Sequence, residues 1–70
     1  MIITRQDGVV TECTNITLQG KVIYYTPKKD RRKKEMAGIY ENRKRATEVF
    51  SEMICEGWNS ENPEYVMPIN

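Results

Sequence analysis

Residues 42–57, NRKRATEVFSEMICEG, carry the strongest structural signal in this chain of 70 residues. The apolar residues in this stretch recur at the spacing of one helical face: Ala46, Val49, Phe50, Met53 and Ile54. Asn42 is a good N-cap, because its side-chain oxygen can accept a hydrogen bond from a free amide of the first turn. Gly57 stands where a left-handed C-cap is expected. The pattern therefore predicts an amphipathic helix over about residues 43–56.

The charges of this helix run against its dipole. Three bases crowd its first turn and three acids follow towards its end, in the order Arg43, Lys44, Arg45, Glu48, Glu52 and Glu56. A helix dipole favours the opposite order, and each misplaced charge costs roughly 0.3–1 kcal/mol before salt screening. The arrangement predicts either a partner of opposite charge or a compensating contact within the fold.

Four extended segments precede the helix. Asp7-Gly8 predicts a tight hairpin turn, because both positions tolerate positive φ, and Gln19-Gly20-Lys21 predicts the next turn. The first segment opens with Ile2 and Ile3 and ends at Gln6-Asp7-Gly8. The others cover residues 9–13 continued by 16–18 after a bend or bulge at Asn15, residues 22–25, and, more weakly, residues 35–40. Pro27 ends the third segment, and Gly38 inside the fourth suggests a bulge or a close backbone approach.

The order of elements predicts an α+β fold made of a four-stranded antiparallel β-meander with one C-terminal amphipathic helix packed on one face and a short extended tail. One domain is expected over residues 1–70, with strands at about 1–40, the helix at about 43–56 and the tail at 57–70. A polar turn is expected over residues 59–64. The tail segment Tyr65-Val66-Met67-Pro68 is too apolar for a disordered end, so we expect it to form an edge strand or to lie across the sheet or a second subunit.

Several classes of function have little support in the sequence. The chain has no histidine, no Gly-rich phosphate loop, and only two cysteines, Cys13 and Cys55, without CxxC spacing. We therefore expect no enzyme activity, no cofactor and no metal. The absence of a signal-peptide pattern and of a long apolar stretch predicts a cytoplasmic protein with no membrane association and two reduced, mostly buried thiols.

The formal net charge of +1 hides a division along the chain. Residues 28–45 hold nine bases and three acids, which gives +6, whereas residues 46–70 hold five acids and no base, which gives −5. The candidate anion- or partner-binding residues are Lys28, Lys29, Arg31, Arg32, Lys33, Lys34, Arg43, Lys44 and Arg45. If strand 35–40 brings the loop and the helix start together, this patch could bind phosphates, with Tyr24, Tyr25 and Tyr40 as stacking faces for unpaired bases. The alternative is a solvated loop that serves solubility.

Another interpretation joins the two charge blocks across a dimer. If the acidic segment of one subunit faced the basic segment of another, a two-fold axis would repeat complementary contacts. The candidate interface residues are Trp58, Tyr65, Val66 and Met67, because aromatic residues and Met are enriched at interface cores. The alternative is that this tail packs on its own sheet.

The chain resembles a group of small uncharacterised bacterial and phage proteins. The resemblance lies in the turn Gln6-Asp7-Gly8, the run Gly38-Ile39-Tyr40, Arg45-Ala46, Val49, Ile54 and the tail Tyr65-Val66-Met67-Pro68. It implies a single α+β domain of bacterial or phage origin with no assigned activity. The chain differs from the pattern at the helix start, where Arg43, Lys44 and Arg45 replace acids.

Together these observations predict a small non-enzymatic binding protein whose partner is another macromolecule, either a second copy of the chain or another protein. The alternative is a protein that binds nucleic acid or an anionic ligand through the basic loop 28–34 and the helix start 43–45.

Overall fold

The chain folds into a five-stranded mixed sheet and one α-helix in the computed structural model, which describes residues 1–58, the last without its side chain, and residues 64–70. The elements in chain order are β1 (Ile2–Thr4), β2 (Val10–Gln19), β3 (Val22–Pro27), β4 (Glu35–Ile39), α1 (Arg43–Glu52), a π-helical segment (Met53–Trp58) and β5 (Glu64–Val66). The predicted α+β class is confirmed. Most of the predicted turn over residues 59–64 lies outside the described residues.

The strand order is β4-β3-β2-β1-β5, so the predicted meander accounts for four of the five strands. β1 to β4 pair antiparallel with their neighbours in sequence, as expected. The tail, however, forms β5, which pairs parallel with β1 and aligns Ile3 with Tyr65. The expected edge strand in the tail is thus confirmed, whereas the predicted four-stranded antiparallel sheet is in fact a five-stranded mixed one. The reason is topological. The chain returns to β1 only after β2, β3, β4 and the helix, and such a long connection permits β5 to pair parallel with β1.

Local sequence signals place the turns and bulges correctly. Gly8 and Gly20 have φ of 88° and 60°, the left-handed region that glycine adopts without steric cost. The register of β2 against β3 shifts between Cys13 and Asn15, where the bend or bulge was predicted. A second bulge in β4 inserts one extra residue opposite the Ile23–Tyr24 step of β3.

The helix begins as predicted and packs one face on the sheet. Asn42 caps it, since its Oδ1 atom accepts a hydrogen bond from the Arg45 amide at 2.9 Å. Ala46, Val49 and Met53 are fully buried in a core that also contains residues of β1, β2, β3 and β5. The sheet face that carries Ile23 and Tyr25 is therefore the one that the helix covers.

The end of the helix differs from the prediction. The backbone enters the π-helical segment at Met53, and within the described residues positive φ occurs at Gly8 and Gly20 but not at Gly57. The expected left-handed cap at Gly57 was wrong. Gly57 is buried instead, and a Cβ atom there would displace the flexible end of the Met1 side chain, so glycine lets Met1 pack closely at this site.

The π-helical segment also changes which residues face solvent. A π-helix closes each turn on residue i+5, so the spacing that defined one face of an α-helix no longer holds. Ile54, predicted on the buried face, is exposed. Both cysteines are free thiols, Cys13 buried and Cys55 exposed; the expectation of two mostly buried thiols was wrong for Cys55.

Candidate nucleic-acid interface

The basic loop, residues 28–34, is an ordered turn held by its single acid. The Asp30 amide donates to the Pro27 carbonyl at 3.3 Å, and the Asp30 carbonyl accepts from the Lys33 amide at 3.2 Å. The Asp30 carboxylate accepts from the Arg32 amide at 3.0 Å, which is an Asx turn. The first residue of the loop is fixed to β2, since the Lys28 amide donates to the Glu12 carbonyl at 3.0 Å.

Most cations of the basic loop have no ion-pair partner among the described residues. Lys28 pairs with Glu12, with Nζ to Oε2 at 3.1 Å. The other five bases are exposed and form no ion pair with residues 1–58 or 64–70: Lys29, Arg31, Arg32, Lys33 and Lys34. Together with the carboxylate of Asp30, these five unpaired cations leave a net charge of +4 on one short loop, which creates a local positive potential that attracts polyanions.

The helix start does not join this loop. The basic loop connects β3 to β4, whereas the helix begins beyond the opposite end of β4. Because a strand rises about 3.3 Å per residue, the five residues of β4 separate the two groups by roughly 17 Å. Arg45 is also engaged, since it contacts the Glu48 carboxylate at 3.5 Å and donates from Nε to the Asn70 carbonyl at 3.0 Å. The predicted cations therefore form two separate groups.

Two of the three predicted stacking tyrosines are buried. Tyr25 is 2% exposed, and its hydroxyl donates to Glu35 Oε2 at 2.6 Å and accepts from Arg5 Nη1 at 3.2 Å. Tyr40 is 3% exposed, and its hydroxyl donates to the Pro68 carbonyl at 2.9 Å. Burial raises the pKa of both phenols. Neither ring can offer a face to a base, so the expectation was wrong for these two residues.

Tyr24 lies on the opposite face of the sheet. Successive side chains of a strand point to opposite faces, and its neighbours Ile23 and Tyr25 are buried in the core. On the outer face Tyr24 stands between Thr17 of β2 and Met36 of β4, which are its register partners. Its ring is half-buried, and Met36 beside it is exposed. Tyr24 is therefore the tyrosine of the predicted set that can contact a ligand.

The predicted interface residues divide between core and surface. Tyr65 and Met67 are buried in the core of their own chain. The Tyr65 hydroxyl donates to Glu52 Oε1 at 2.9 Å, and burial together with this carboxylate raises the pKa of the phenol far above its usual range. Val66 is 70% exposed on β5. The side chain of Trp58 lies outside the described residues.

Gln6 is a structural residue that sequence reasoning placed only in a turn. Its Oε1 atom accepts from the Ile39 amide at 2.8 Å, and its Nε2 atom donates to the carbonyls of Ile39, Pro68 and Ile69, each at 3.1 Å. The backbone amide of Gln6 also donates a hydrogen bond to the Ala37 carbonyl at 3.1 Å. This one residue joins the end of β1 to β4 and to the C-terminal segment. No local sequence pattern predicts these contacts, because the partners of Gln6 lie 33, 62 and 63 residues away along the chain.

The described residues form neither a membrane-crossing helix nor a metal-binding cluster. Residues 1–58 and 64–70 contain no helix with the length and apolar character needed to cross a membrane. The same residues contain no group of three or more His, Cys, Asp and Glu side chains arranged to hold a metal ion.

Comparison of the chain with protein-family models, with curated proteins and with solved structures finds no match.

Proposed function

We propose that this chain is a non-catalytic nucleic-acid-binding protein that contacts phosphate groups through the basic loop. The observation that carries the proposal is the set of five exposed loop cations without an ion-pair partner in the described residues, on a backbone ordered by Asp30. An ordered loop loses less conformational entropy on binding than a flexible one. Phosphate contacts from Lys and Arg supply most of the affinity in non-specific nucleic-acid binding.

The alternative of a loop that only serves solubility gives a different expectation. If the charges only serve solubility, their position on the surface does not matter. If the loop binds nucleic acid, particular cations of the loop must contact phosphates. Arg31 and Arg32 belong to the loop, while Arg43 and Lys44 at the helix start are also exposed and have no ion pair with a described residue. These two pairs carry the same charge at separate sites, so they form a matched test and control.

The experiment measures binding of a fluorescein-labelled oligonucleotide by anisotropy over a salt series. Arg31→Ala/Arg32→Ala should weaken binding and reduce the slope of log K against log salt by about 1.4 for a single strand or 1.8 for a duplex, if both side chains contact phosphates. Arg43→Ala/Lys44→Ala should leave the slope near that of the unmodified chain. Absence of binding at 50 mM salt, or an equal loss in both variants, would contradict the proposal.

A second candidate function is protein association through the outer face of β2, β1 and β5. Val10 and Val66 are 65% and 70% exposed, and the register places both beside Thr4, one on each side of β1. Two exposed valines on the two strands that flank β1 form an apolar surface suited to a second copy of the chain. Sedimentation over a concentration series tests it: Val66→Glu should dissociate a dimer, and a monomeric unmodified chain at high micromolar concentration excludes self-association.

A further inference from the structure

We infer that the nucleic acid bound at the basic loop is single-stranded and that one unpaired base stacks on Tyr24. The inference rests on the proposed function and specifies its ligand. The observation behind it is that an outward-facing aromatic ring and the loop cations belong to one continuous strand-and-loop unit, β3 followed by residues 28–34.

The surroundings of Tyr24 suit a stacking platform. The helix covers the other face of the sheet, because the helical residues Ala46 and Val49 share a core with Ile23 and Tyr25. On the outer face the register partners of Tyr24 are a short threonine, Thr17, and a flexible methionine, Met36. A base can approach the ring above the threonine and displace the methionine end at little cost, since methionine adapts readily to new contacts.

The distance between ring and cations matches a short oligonucleotide. Tyr24 precedes Lys28 by four residues of extended chain, which is roughly 13 Å at 3.3 Å per residue. Stacked nucleotides of one strand rise about 3.4 Å each, so roughly four of them span this distance. A strand that stacks one base on Tyr24 can therefore bring its next phosphates to the loop.

The shape of the face disfavours a duplex. Bases in a duplex are stacked on each other and present only their edges, whereas a ring lying on a sheet surface recognises a free base face. β3 is flanked by β2 and β4, and three strands at about 4.8 Å spacing are about 10 Å wide before their side chains are added. The major groove, about 12 Å wide, admits a helix or a two-stranded ribbon but not this sheet.

The test compares a labelled twelve-nucleotide single strand with a twelve-base-pair duplex at 50 mM salt. We expect at least tenfold tighter binding of the single strand. Tyr24→Ala and Tyr24→Leu should weaken it by about 5- to 150-fold, the range for one stacked base, while Tyr24→Phe retains it. The salt slope should stay unchanged in all three variants, because the ring neutralises no phosphate. Thermal unfolding by circular dichroism identifies any variant whose loss reflects unfolding, and Tyr24→Leu, which keeps most of the side-chain volume, provides the comparison if Tyr24→Ala unfolds.

The outcomes separate this inference from the proposed function. Equal binding of single strand and duplex, with folded Tyr24→Leu unchanged, overturns the stacking role and leaves the phosphate-binding loop intact. Loss of binding in Tyr24→Phe as well as in Tyr24→Leu also overturns it, because Phe keeps the ring face. Failure of both oligonucleotides to bind the unmodified chain refutes the proposed function itself.

Discussion

The contacts of Gln6 predict that Gln6→Ala destabilises the fold more than most single substitutions of a half-buried residue. The side chain accepts one hydrogen bond from the Ile39 amide and shares two N–H donors among the carbonyls of Ile39, Pro68 and Ile69. It therefore makes about three full hydrogen bonds, each contributing about 0.5–1.5 kcal/mol net. Water can replace the exposed ones, so we expect a loss of about 2 kcal/mol.

That loss is large for a chain of this size. A core in a domain of about 70 residues rarely supplies more than about 3–5 kcal/mol. With a urea m-value of about 1 kcal/mol/M, the midpoint of unfolding should fall by about 2 M. The thermal midpoint should fall by about 8–16 °C. Far-UV circular dichroism during urea and thermal unfolding measures both quantities.

Gln19→Ala is the matched control, because Gln19 is exposed at the end of β2 and its side chain forms no hydrogen bond with the described residues. It should change the free energy of unfolding by less than about 0.5 kcal/mol.

Gln6→Glu adds a test of the same contacts by their pH dependence. A carboxylate cannot donate to the three carbonyls, so the folded state should raise the pKa of this Glu, and stability relative to the unmodified chain should recover as pH falls through that pKa. Gln6→Ala within 0.5 kcal/mol of the unmodified chain would refute the reasoning.

Three further predictions concern single residues. Gly20→Ala should cost about 1 kcal/mol of unfolding free energy in urea, because φ of 60° disfavours a Cβ atom although the space is open; an unchanged midpoint would contradict this. Tyr65→Phe should cost about 1 kcal/mol by removing the hydrogen bond to Glu52, measured in the same way, and a neutral result would show that the bond contributes nothing. A thiol reagent should label Cys55 rapidly in the native chain and Cys13 only in denaturant, since Cys13 is buried and burial raises the pKa of its thiol; two fast thiols would refute the described burial.

The sequence predicted features that depend on local backbone chemistry. Asn42 caps the helix, Gly8 and Gly20 occupy left-handed turns, and the break near Asn15 is a bulge. Each of these follows from the preferences of one or two residues, and those preferences act over a few positions. The loop 28–34 was also predicted, because a segment with no apolar residue cannot enter the core.

Features that depend on distant contacts were missed. The parallel pairing of β5 with β1 joins Ile3 to Tyr65, and the Gln6 contacts join residues more than 30 positions apart. Alternation along a strand indicates that Tyr24 and Tyr25 face opposite sides, but the helix decides which side becomes the core. The π-helical segment changes the spacing that had placed Ile54 on the buried face, so Ile54 is exposed, and no residue in that stretch signals such a change.

Contacts within the fold explain only some of the charges that run against the helix dipole. Arg45 is compensated, because it contacts Glu48 and the Asn70 carbonyl, and Glu52 accepts the buried hydroxyl of Tyr65. Thus one of the three bases, Arg45, and two of the three acids, Glu48 and Glu52, make contacts within the chain. Arg43 and Lys44 have no ion pair with a described residue and are separated from the basic loop by the length of β4. Their unfavourable interaction with the helix dipole, roughly 0.3–1 kcal/mol each, therefore lowers the stability of the helix without contributing to the basic loop. The loop cations lie at no helix end and carry no such cost. The stability of the helix and the proposed binding of phosphate thus involve different groups of cations, which is why the helix start serves as the control for the loop.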